Sequence, residues 1–214
     1  MKKTILYFCV LISTITYGQD AKYMQAMGKT ISTLDSAKDE ASFQNANNSF
    51  ERIGNANQKE WLPLYYQSFS LVMIGLSQKE NNKKDEYFDH AQQLIDKADA
   101  LNPDNSEIAV MQSFVTSMKI SVDPMTRGQK LGMQSSMLLA KAIKLDKENP
   151  RAYLLKGTGL MYTPAQYGGG KDKAIPVLEE AVAKFKAFKP ASEVMPHWGE
   201  ARANALLEQC KKQD

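Results

Sequence analysis

Four short segments of the chain share one pattern of small and large residues: Ala46, Phe50, Ile53; Ala91, Ile95, Ala98; Ser135, Leu139, Ala142; and Ala174, Leu178, Ala181. Each is spaced by four and then three residues, which puts all three side chains on one face of a helix. Small, large, small suits a helix whose neighbour approaches closely at two turns while one bulky side chain fills the gap between them. Ile53 is the member that strains the pattern. Taken from the last residue of each set (Ile53, Ala98, Ala142, Ala181), successive units step by 45, 44 and 39 residues. A step of that size holds two helices and their linkers, so the chain reads as a stack of helix pairs. Strand signals are lacking: there is no Asn-Gly hairpin turn and there are few β-branched runs. Elsewhere Ile108, Met111, Val115 and Met118 fall on one helical face, with Ser106 placed as its cap. From Trp61 to Leu76 the apolar residues cover more than one face, as in a helix packed on two sides, and Pro63 fits its first turn.

The pairs resemble the tetratricopeptide repeat family, whose second helix carries an alanine and a large residue four positions on, and whose unit commonly ends near a proline. "AQQLIDKADALNPDN" supplies Ala91, Ile95, Ala98 and Pro103. "AYLLKGTGL" supplies Tyr153, Gly157 and Leu160 at the aromatic, glycine and second aromatic positions of the first helix, and "SMLLAKAIKLDKENPRA" repeats the second-helix ending. Lys156 stands where leucine is usual, Lys147 stands where proline is usual, and the unit exceeds the family's roughly 34 residues. The resemblance implies an all-α, right-handed solenoid of about four antiparallel helix pairs over residues 19–190. A C-terminal capping helix is expected within 191–214, after Pro196.

At the N-terminus, Lys2 and Lys3 precede an apolar run from Ile5 to Ile15 that ends in Thr16-Tyr17-Gly18. This is the pattern of a secretory signal peptide over residues 1–18, and the run is shorter than the roughly 20 residues a membrane span needs. Cleavage removes two lysines, so the net charge of +3 falls to +1. A nearly neutral chain has no global field to draw in nucleic acid or an acidic membrane surface. The expected location is periplasmic or secreted, with no membrane span after cleavage. Cys210 would then be the only cysteine, with no partner for an internal disulfide.

Residues 163–174, "TPAQYGGGKDKA", place Gly168, Gly169 and Gly170 and a lysine before a helix, one recipe for a phosphate cradle. A Walker-type loop also needs a preceding strand, a glycine at position 165 and a hydroxyl residue after the lysine. Here Ala165 and Asp172 occupy those positions. The glycines therefore read as an enlarged turn that permits φ > 0. Glu86 and His90, one helical turn apart, make at most half a metal site and read as a solvated face; His197, in "PHWGE", reads as a packing corner with Glu200 in reach. No catalytic residue, metal or cofactor is expected. "SVDPMTRG" places Asp123 as a cap, Pro124 in the first helical turn and Arg127 one turn on, in a structural salt bridge or as a contact for an anionic group.

Trp61, Tyr65, Tyr66 and Tyr153 all lie on first helices, which in the resembled family line a concave groove that holds extended peptides. Most of these rings suit a core, whereas Tyr66, off the face shared by Trp61 and Tyr65, is expected to be exposed. The resemblance and the export signal together imply a non-catalytic envelope scaffold that binds a peptide or partner protein. The alternative is a small-molecule-binding component of a transport system. A pocket of Trp61, Tyr153, Tyr162 and Tyr167 near Arg127 would favour it.

Overall fold

The structure, a computed structural model, describes residues 20–212. The expected leader lies outside them. Within the described residues the chain forms helices without strands. These are α1 (20–35), α2 (Glu40–Ala56), α3 (Leu62–Ser77), α4 (Asn81–Leu101), α5 (Ser106–Val122), α6 (Pro124–Leu145), α7 (Pro150–Tyr162), α8 (Lys171–Ala187) and α9 (Glu200–Lys211). A 3₁₀ turn, Ala165–Tyr167, joins α7 to α8.

Helix starts follow the local chemistry. Asp39 caps α2 and accepts from the Ser42 N–H at 2.8 Å. Asp123 and Asn149 cap α6 and α7, each followed by a proline whose missing N–H leaves no helical bond unmade. The expected cap at Ser106 is one residue out. Asn105 Oδ1 accepts from the N–H groups of Glu107 (2.9 Å) and Ile108 (3.4 Å). Ser106 is freed for a longer-range bond, its hydroxyl donating to the Ala142 carbonyl of α6 at 3.0 Å.

Helix α1 shares a core with α2 through Met27, Ile31, Leu34, Ala46 and Phe50, the pairs α3/α4, α5/α6 and α7/α8 follow in chain order with a closing helix, and the first helices α3, α5, α7 and α9 touch in sequence. This is the helical-repeat solenoid expected from the pattern. The repeated triplets lie on the second helices and are buried, apart from Ile53, which sits half-buried. First-helix glycines complete the fit. A Cβ on Gly75 would lie 2.5 Å from the Phe88 ring, and one on Gly157 would lie 2.7 Å from the Leu178 side chain.

The core has two parts. One joins α1 to α5 and is rich in rings, including Phe50, Tyr65, Tyr66 and Phe88. The other joins α7, α8 and α9 and is built from Ala152, Leu154, Leu178, Phe185, Leu206 and similar side chains, with Cys210 packed among them. Helix α5 serves both, sending Ile108, Met111 and Val115 to the first and Ala109 and Val110 to the second.

Candidate ligand-binding surface

Between α8 and α9 the chain leaves helical structure for residues 188–199. This strap runs across the first helices and is tied to them at several depths. Val194 is buried in the ring-rich core, and its carbonyl accepts from the Tyr66 hydroxyl at 2.9 Å. Trp198 lies between Phe69 and Phe114, with ring centroids 5.3 and 5.8 Å away. Its indole N–H donates to the Tyr65 hydroxyl at 2.8 Å. His197 Nε2 lies 3.0 Å from Asp35 Oδ2, so its partner is Asp35 and not the neighbouring Glu200.

Beneath the strap lies a buried charge pair. Arg151, fully buried at the start of α7, donates through Nε and Nη2 to the two carboxylate oxygens of Glu107 at 2.8 and 2.6 Å. Asn149 adds a 2.8 Å bond to the same carboxylate, and the Phe188 ring lies 4.5 Å from the guanidinium. Burial, the largest single influence, pushes Arg151 down, but the hydrogen bonds and the charge of Glu107, with smaller help from Tyr65 and Tyr66, together hold it above the ordinary arginine value. Burial also pushes the Tyr65 hydroxyl, beside Glu107, well above the ordinary phenol value. Sequence reading missed this pair. Its signal was the repeat register, because Glu107 and Arg151 are each the second residue of successive first helices.

The residues singled out from sequence do not form one pocket. Tyr65 and Tyr66 are buried, which corrects the expected exposure of Tyr66; its ring stacks on Phe50 at 5.0 Å instead. Trp61 packs edge-on to Tyr65, and the Tyr153 hydroxyl donates to the Lys147 carbonyl at 3.0 Å. Arg127 makes a two-pronged pair with Asp85 at 2.5 and 2.8 Å, the structural salt bridge. That bond holds the Asp85 carboxyl below the usual carboxylate range and Arg127 above its own. Glu86 and His90 are exposed on α4.

The glycine turn is spent on itself. The N–H groups of Gly168, Gly169 and Gly170 donate to the carbonyls of Ala165, Pro164 and Leu160, so none points at a phosphate. Gly168 (φ 86°) and Gly170 (φ 105°) take left-handed backbone, whereas Gly169 is required by contact, since a Cβ there would lie 2.1 Å from the Thr163 carbonyl oxygen. The turn holds Tyr162 and Tyr167 at 61% and 75% exposure.

Large exposed apolar side chains concentrate on one other element. Met125, Met133 and Met137 of α6 are 97%, 62% and 67% exposed. Helical spacing sets Met133 and Met137 opposite the buried Ser135, Leu139 and Ala142. A Cβ added at Gly128 or Gly132 of α6, or at Gly159 of α7, would meet nothing within 4 Å. Helices α6 and α7 also meet less closely than the other successive helices from α2 to α9. On its other flank α6 borders a polar trench against α4, in two lobes of about 340 and 240 Å³ that share Lys119 and Leu131. Arg127 and Lys130 line the larger lobe, and Lys130 has no ion-pair partner among the described residues. Exposed thioethers, a cation one turn from Met133 and a trench with further cations therefore share one helix. No group of three metal-binding side chains occurs among the described residues, and no helix there is long and apolar enough to cross a membrane.

No family model and no curated protein matches the chain. Several solved structures do. The HusA haemophore from Porphyromonas gingivalis is 35% identical, with 88% of this chain and 92% of that chain covered and a TM-score of 0.80. A thermophilic tetratricopeptide repeat protein of Thermus thermophilus is 15% identical, with coverage of 88% and 98% and a TM-score of 0.58. The second likeness supports the fold alone.

Proposed function

Because the chain belongs to the family of the HusA haemophore, we propose that it is an exported, non-catalytic carrier of haem. The family match is the observation that carries this reading, and the surface chemistry agrees with it. A haem has two broad apolar faces and an edge with two carboxylates. Thioethers are soft and polarisable and suit a flat conjugated ring, so Met133 and Met137 would lie against a face. Lys130 would meet a carboxylate at the mouth of the trench, where Lys119 and Arg127 are already paired with Asp89 and Asp85. Tyr162 and Tyr167 on their stiff turn are a second contact in this proposal. Binding and release are the whole activity, with no bond made or broken.

The strap argues against a peptide held along the first helices. Non-helical backbone already lies there, with Val194 in the core and the Trp198 carbonyl 3.4 Å from Arg151 Nη1. A small molecule on the outer face of α6 needs no such displacement. Titration of the purified protein with haem tests the proposal: a saturable change in the haem absorption band is expected, weakened on the order of tenfold by Met137→Glu, because a desolvated charge replaces an apolar contact. A strictly linear response, as for free haem, would refute the carrier reading. Equal binding by the variant would refute the placement on α6.

A further inference from the structure

Resting on the carrier reading above, we infer that Met133 and Met137 form a peroxide-sensitive modification site that switches the ligand surface from apolar to polar. Nothing in the packing of α6 calls for these side chains. The faces that bury Ser135, Leu139 and Ala142 hold the helix in place, and the two thioethers stand opposite, 62% and 67% exposed. Exposure decides which methionines react. A hydroperoxide must bring its O–O bond to the sulfur, which is open to solvent at Met133 and Met137 and closed at Met27 and Met111, both with no exposed surface. The thioether sulfur gives two electrons to the peroxide, one S–O bond forms as the O–O bond breaks, and water leaves after proton transfer from the peroxide. The product sulfoxide is a polar, chiral group, and a dithiol reductant working through methionine sulfoxide reductase returns it to the thioether with release of water. Because the two residues lie one helical turn apart, oxidation of both places two S=O dipoles where an apolar ring would rest. Met125, 97% exposed, oxidises alongside them but sits at the N-terminal end of α6, away from that pair.

The experiment compares purified protein before and after mild hydrogen peroxide, with peptide masses read for the gain of about 16 Da that marks a sulfoxide and haem affinity read by titration. The expected result is oxidation at Met133 and Met137 ahead of Met27 and Met111, an affinity loss on the order of tenfold, and recovery after reductase treatment. The Met133→Leu, Met137→Leu variant is read as its own ratio before and after peroxide, and that ratio should stay near one. Two results overturn the inference while leaving the carrier reading intact: fully oxidised protein that keeps its affinity, or a double-leucine variant that loses affinity on oxidation as the parent does. Untreated protein that fails to bind haem overturns the carrier reading itself, and the inference with it.

Discussion

Helices α3 and α6 occupy neighbouring pairs of the same stack, yet they meet the rest of the chain in opposite ways. Eleven of the 16 residues of α3 are buried, against three of the 22 in α6. Helix α3 carries rings and β-branched side chains around most of its circumference and is clamped by α2, α4, α5 and the strap. Helix α6 meets α5 partly through hydroxyls, with the Ser135 hydroxyl 2.8 and 2.9 Å from those of Ser113 and Ser117, and turns its methionines outward. The contrast separates holding the stack together from presenting a surface. A repeat fixes where helices lie, while the residues on each helix decide whether a face is closed or offered.

Substitutions can break that contrast or sharpen it. The largest effect is expected where the two cores join: Arg151→Ala leaves the Glu107 carboxylate buried and unpaired, at a cost of about 3–5 kcal/mol in urea unfolding. A midpoint like that of the parent would show that the strap and its charge pair are dispensable. Next, the same replacement in the two regions should act with opposite sign. Gly75→Ala drives a Cβ to 2.5 Å from the Phe88 ring and is expected to cost about 1–3 kcal/mol. Gly132→Ala on α6 meets nothing within 4 Å and should stabilise by about 0.5–1 kcal/mol. Thermal melts of the pair check both signs, and destabilisation by Gly132→Ala would mean that α6 is covered after all. The smallest effect belongs to the trench. Its Asp85 carboxyl is lowered by Arg127, so the pair contributes stability above the usual Asp range, and that contribution is lost as pH falls through the lowered value. Arg127→Gln should remove this acid-side dependence while costing less than about 1 kcal/mol near neutrality.

Much of the scaffold was legible because packing writes itself into periodicity. Ala91, Ile95 and Ala98 are buried as their spacing required, and Asp123 and Pro124 begin a helix as their chemistry required. The glycine turn was readable for a similar reason, since the residues a phosphate loop needs were missing at 165 and 172. What was not legible depended on long-range placement. Tyr66 is closed in by Phe50, 16 positions earlier, and by Val194, 128 positions later. The strap has no period of its own, so "ASEVMPHW" gave no sign that Val194 and Trp198 cover the first helices. For the methionines of α6 the obstacle was different. Their helix and its core-facing triplet could be read, and spacing sets Met133 and Met137 opposite it, but a thioether suits a second packed face as well as a surface, and the thin contact between α6 and α7 is what leaves that face open.

The most direct test of the claim that the ligand surface lies on α6 is residue-resolved NMR of the labelled protein during a haem titration. Shifts and line broadening are expected to centre on residues 125–138 and 162–170, with Tyr66, Val194 and Trp198 of the strapped face left in place. Perturbation centred instead on α3, α5 and residues 188–199, with α6 silent, would contradict it and place the ligand under the strap.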